Sequence, residues 1–163
     1  MAVTTIDDRL AITDLAARHG RWLDGEAGRS EDFFTDDVEV VSPRARLSGL
    51  PAVAEFLARA RDEHSHHRLT DVLVEVDGDR GRLRANQVVD FFEPGRPPHR
   101  TAGLRVTYGV VRTPAGWRIR RSDIELVWMV GELPPGAGPA QVSSLPSQRA
   151  VRASRKLPPG SWK

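Results

Sequence analysis

Residues 67–92, HRLTDVLVEVDGDRGRLRANQVVDFF, decide the fold class. The stretch holds two runs, 67–76 and 81–92, both rich in β-branched and apolar residues with partial period-two alternation. Asp77-Gly78 lies between them. That dipeptide suits a tight hairpin, because glycine tolerates the positive φ such a turn demands. The pattern continues downstream. Glu93-Pro94-Gly95 and Pro97-Pro98 make a loop, 100–112 reads as a strand, Thr113-Pro114-Ala115-Gly116 as a turn, and 117–128 as a last strand. Consecutive strands joined by turns predict an antiparallel meander.

Upstream the period changes. Ile12, Leu15, Ala16, His19 and Leu23 form one helical stripe within residues 5–24, with Thr4 or Thr5 as cap and Asp7 and Asp8 in the first turn. Gly25 and Gly28 end it. Ser30 is suited to cap a short second helix running through Phe33 and Phe34, and Val38, Val40 and Val41 predict a short strand. Pro51 opens a third helix with the stripe Val53, Phe56, Leu57 and Ala60. Three helices followed by a meander give an α+β pattern rather than βαβ. The helices must cover one face of a curved sheet, and a sheet wrapped around a helix leaves a cavity at its open end.

Charge separates the body from the tail. From Leu133 onward the chain carries Arg149, Arg152, Arg155, Lys156 and Lys163 and no acid. Removing that +5 from the net +2 leaves −3 on residues 1–132. The expected division is therefore a domain over 1–132 and a Pro/Gly/Arg-rich tail over 133–163, extended or disordered, or folded over a pocket mouth. An acidic body argues against nucleic acid as a partner. No apolar run approaches the roughly 18 residues of a membrane helix, and MAVTTIDDRL is not a secretion signal, so a cytoplasmic location is expected. With no cysteine, thiol catalysis and thiolate metal sites are excluded.

Five strings in order carry a family resemblance: AITDLAARHGRWLDG (11–25), FFTDDVEV (33–40), LSGLPAVAEFL (47–57), HHRLTDVLVEVDGDRGRLRA (66–85) and TPAGWRIRRSDIELVW (113–128). Over roughly residues 6–130 the chain resembles the SnoaL-like branch of the nuclear-transport-factor-2-like (NTF2-like) superfamily. The resemblance implies a cone of three N-terminal helices on a curved, mainly antiparallel sheet. Such relatives include dehydratases, ketosteroid isomerases, polyketide cyclases, epoxide hydrolases and a dehydrochlorinase. Non-enzymatic transport factors and small subunits of ring-hydroxylating dioxygenases belong there too, and fold alone does not choose between them.

The resemblance also nominates residues. Asp24, by itself a solvated acid before a glycine loop, matches a carboxylate that faces the cavity in dehydratase-like relatives. His67, by itself one of three clustered surface histidines, matches the histidine of the family's His-x-x-Thr string. A metal on His64 and His67 is the other alternative, but no further ligand accompanies them. If Asp24 and His67 meet, the carboxylate orients and stabilises an imidazole that takes a proton. The outcomes are loss of water, a double-bond shift or ring closure, with no cofactor and no metal.

Oxyanion donors are harder to assign. Several dehydratase relatives use tyrosines and an arginine, whereas this chain has Tyr108 as its one tyrosine and His19 at the earlier helix position. His19 is either a core-edge histidine or a substrate contact. Asn86 is a pocket donor candidate, and an inward Asn86 brings Asp90 inward with it by strand parity. Arg105 stands where the family often has tyrosine. Trp128 is a core or ligand-wall aromatic. Of Arg118, Arg120 and Arg121, parity puts the first two with Ser122 and the third with Ile119.

The leading expectation is a lyase, isomerase or cyclase acting on a hydrophobic, oxygenated small molecule of polyketide or steroid type. The alternatives are a non-catalytic binding or assembly module, such as an oxygenase small subunit, and a ring-opening hydrolase using Asp90. A homodimer or homotrimer is expected through the outer sheet face.

Overall fold

The computed structural model describes residues 6–60 and 62–131. The expected caps Thr4 and Thr5 and the 133–163 tail lie outside the described residues. Helix α1 spans Ile6–Leu23 and buries Ile12, Leu15, Ala16, His19 and Trp22. Its acidic first turn is tied down by Arg112, whose guanidinium bonds Asp8 at 2.8 Å.

Strand β1 (Phe34–Val41) pairs with the short β2 (Arg46–Ser48), helix α2 (Leu50–Ala60) follows, and β3 (His64–Asp77), β4 (Arg80–Phe92), β5 (Arg100–Thr113) and β6 (Gly116–Gly131) complete the sheet. The order is β2-β1-β6-β5-β4-β3. All neighbours are antiparallel except β1 and β6, which run parallel. The sheet is therefore mixed, because β1 is returned to the far side of the meander. The hairpin turns over Gly78 and Asp79, closed by the Asp77–Arg80 pair, one residue later than the sequence suggests.

Two helices form, not three. Residues 30–32 make a single 3-10 turn. One turn fixes several dihedrals for little return, so an isolated turn extends only if packing rewards it. Here the sheet captures the chain first: Ile119 N–H donates to Phe33 O at 2.8 Å, and Phe34 already pairs with Ile119.

Leu83, Ala85, Gln87 and Val89 alternate inward on β4, as do Val106, Tyr108 and Val110 on β5. They meet the α1 stripe, and α2 adds Leu50 and Val53 to the same core. Within the meander β3 to β6, three irregularities interrupt the alternation. Pairing slips between Thr70 and Leu73, where Asp71 takes a φ of 54°, between Gly103 and Leu104, and between Gly109 and Val110. Each slip re-aims the side chains beyond it.

Candidate active site

Helix α1 ends where Gly25 adopts a φ of 102°, a left-handed cap that glycine takes without a Cβ penalty. The cap delivers the side chain of Asp24 to the start of β3. There Ser65 and His67 both point inward, being two residues apart. Ser65 Oγ donates to Asp24 Oδ1 at 3.0 Å, His67 backbone N–H to Oδ2 at 2.8 Å, and His67 Nδ1 lies 2.5 Å from Oδ1. The two side chains keep 14% (His67) and 16% (Asp24) exposure.

Burial pushes the Asp24 carboxyl up, but the hydrogen bonds from the His67 ring and backbone, the imidazolium charge and Ser65 outweigh it and hold it below its ordinary value. Asp24 is thus a carboxylate at neutral pH. With Nδ1 committed to it, His67 Nε2 is the nitrogen left to exchange a proton. His64 and His66 point outward on the same strand, so the three histidines do not converge. Among the described residues no group of three His, Cys, Asp or Glu is arranged to hold a metal.

His19 lies deeper than the pair, among Trp22, Phe33, Phe34 and Tyr108. Complete burial, helped by the nearby His67, pushes its pKa down to about 3, so it is a neutral imidazole. Its Nδ1 faces the Tyr108 hydroxyl at 3.5 Å. Tyr108 is 2% exposed, points inward and is held protonated by burial, partly offset by a hydrogen bond with the Gln87 amide.

The other expected pocket residues are not there. Asn86 and Asp90 take the outer face, because inward parity on β4 belongs to Leu83, Ala85, Gln87 and Val89. Asn86 Nδ2 donates to Asp71 at 2.8 Å, and Asp90 accepts from Arg68 at 2.6 Å and Thr101 at 2.7 Å. Arg105 also points outward, 3.6 Å from Glu125. Trp128 is 41% exposed and lies across Gly103 on the outer face. The slip at Gly109 puts both Ile119 and Ser122 inward, which sends Arg118, Arg120 and Arg121 outward to Glu31 O, Asp37 and Glu39 respectively.

Sequence reasoning missed three inward polar residues. Ser65 and Gln87 needed only correct parity. Arg100, 3% exposed, bonds Glu63 at 2.5 Å and stacks on Phe91 at 4.1 Å, while Glu63 also meets His99 Nε2 at 2.8 Å. Nothing local distinguishes this arginine from the chain's many others.

A cleft of about 510 Å³ lies on the outer face among Asp37, Glu39, Arg120 and Arg121, and one of about 400 Å³ lies by Arg9, Leu73 and Arg84. Neither includes Asp24 or His67. Leu23, next to Asp24 in the chain, and Leu69, two residues beyond His67 on the same face of β3, are partly buried apolar neighbours of the pair.

A family model described as a SnoaL-like domain matches residues 4–123. Among curated proteins nothing matches. Many solved structures resemble the chain, among them the following three. A Novosphingobium aromaticivorans protein provisionally named an aromatic ring hydroxylase is 26% identical over 79% of this chain and 96% of its own, with a TM-score of 0.67. A provisionally named scytalone dehydratase from the same organism is 16% identical over 85% and 99%, with a TM-score of 0.69. A Streptomyces avermitilis protein, provisionally a dehydratase of the NTF2-like family, is 21% identical over 74% and 97%, with a TM-score of 0.65. The last two likenesses concern the fold alone.

Proposed function

The chain belongs to the SnoaL-like family of the NTF2-like superfamily, and from that premise we propose that it is a cofactor-independent acid–base enzyme of the lyase, isomerase or cyclase type. The observation that carries the reading is the 2.5 Å contact between Asp24 and His67 on the helix-covered face of the sheet. Asp24 fixes the imidazole with its proton on Nδ1 and stabilises the imidazolium that forms. His67 Nε2 takes a proton α to a carbonyl or beside a leaving group, then returns it. The apolar neighbours Leu23 and Leu69 support a hydrophobic, oxygenated small molecule as ligand.

The test is a panel of hydrophobic β-hydroxy ketones in D2O, followed by enone absorbance and by deuterium incorporation. Turnover is expected with the native chain and should fall roughly 100-fold or more in His67→Ala. Equal rates in the two proteins overturn the reading.

One observation favours a second reading, an oxygenase-associated module: the relative with the ring-hydroxylase name is the one above 25% identity among the three described. That reading predicts a stable hetero-complex and no turnover by the isolated chain. The ring-opening hydrolase loses its carboxylate, since Asp90 faces outward and is bonded to Arg68 and Thr101.

A further inference from the structure

Strand β3 stands at one end of the sheet order, next to β4. The terminus of an edge strand opens more readily than the middle of a sheet. Yet the first residues of β3 carry half of the acid–base pair. Ser65 and His67 both hold Asp24, through Ser65 Oγ and through the ring and backbone N–H of His67. The pair keeps its geometry only while this end of β3 stays in place.

Glu63, just ahead of β3, ties that end to a strand two places away. Its Oε2 accepts from the Arg100 guanidinium at 2.5 Å, and its Oε1 meets His99 Nε2 at 2.8 Å. Arg100 opens β5, so the link spans β4. The strand between is gripped as well. The Arg100 guanidinium stacks on the Phe91 ring at 4.1 Å, and the Phe91 carbonyl accepts from His99 N–H at 3.0 Å. Phe91 faces Ser65 on one side and Arg100 on the other. Glu63, Phe91 and Arg100 thus make a strap across the sheet at the level of Ser65.

Burial makes the strap firm. The Arg100 side chain is 3% exposed, whereas both partners of the Arg84–Glu75 pair further along β3 and β4 lie open to solvent. An open pair is readily exchanged for water, but a guanidinium at the depth of Arg100 needs its carboxylate. Glu63 is therefore held from the interior.

We propose that Glu63 is a positioning residue for the Asp24–His67 pair: strapped to Arg100, it keeps the open end of β3 where Ser65 and His67 can both hold the carboxylate. The acid–base reading supplies the purpose of the pair, whereas its geometry is measurable without a substrate.

The test compares the native full chain with the double variant Glu63→Ala/Arg100→Met by NMR at neutral pH, with no ligand present. Glu63→Ala alone strands a buried cation and is at risk of unfolding. The double variant leaves no buried charge, and such replacements are often neutral for stability. Exchange of the His67 amide, which is donated to Asp24, should be roughly tenfold faster or more in the double variant, while the central Leu83 and Val106 amides keep their native rates. The downfield resonance of His67 Nδ1–H, present in the native chain, should lose intensity to exchange with water. The proposal is overturned if both signals of His67 stay native in the double variant. It is equally overturned if His67, Leu83 and Val106 all speed up alike, because Glu63 then supports the fold as a whole. A native chain without the Nδ1–H resonance removes the pair itself, and the acid–base reading falls with the strap.

Discussion

Asp24 holds His67 twice, through the ring at Nδ1 and through the backbone N–H of the same residue. The two bonds respond differently to substitution. His67→Ala removes only the ring contact and leaves Asp24 anchored to the strand, so the variant should fold as the native chain does while losing turnover. Asp24→Asn removes the charge that stabilises the imidazolium and should lower turnover by roughly 10²–10⁴-fold. Circular dichroism and steady-state rates on the β-hydroxy ketone panel check both.

Acid should destabilise the fold through His19. Its pKa is 6.5 in the unfolded chain and about 3 in the fold, first because of burial and then because of His67. As pH falls below about 6.5 the unfolded state takes up a proton that the native state refuses. Stability is therefore complete above that pH and is lost progressively down to about 3, by on the order of 4–5 kcal/mol in all. Asp24, with its depressed value, adds a loss of the same sign at lower pH, below its ordinary 3.8. Urea unfolding between pH 7 and 4.5 isolates the histidine, and His19→Phe should flatten the slope there.

Strand parity makes a contrast on β4 and β5. Asn86→Ala and Arg105→Ala alter only the outer face and should leave turnover within about twofold. Gln87→Met, one residue from Asn86, alters the inward face instead. An Asn86→Ala variant with strongly impaired turnover would mean that the inward face has been misassigned.

Gly103 has a packing role on that outer face. A Cβ built there would come within 2.1 Å of the Trp128 indole. Trp128 is exposed enough to rotate away, so Gly103→Ala should cost about 1 kcal/mol rather than unfold the chain. The 19F resonance of Trp128 in 5-fluorotryptophan-labelled protein should shift, with turnover retained.

The order of elements was legible in the sequence because it rests on local signals: the stripe from Ile12 to Leu23, the Asp77-Gly78 turn, and proline loops between strands. Asp24 and His67 were nominated by family strings, not by periodicity. What the sequence concealed was non-local. Nothing near Phe34 announces a parallel partner in Ile119, and that pairing is what cuts the second helix to one turn. The slips at Asp71, Gly103 and Gly109 break the count of two on which inward and outward assignments depend. Arg118 to Arg121 were divided between faces by that count, whereas Asn86 was nominated because it interrupts an apolar strand, and on the unbroken alternation of β4 its neighbour Gln87 takes the inward place.

Asp71 also bears on the margins of the sheet. It lies on β3, one rim of the sheet, in a left-handed conformation held by Asn86 and Thr70. The other rim is the three-residue β2. A kinked margin and a very short one are both poor templates for recruiting a foreign strand. Strand-by-strand growth at either side is thereby discouraged.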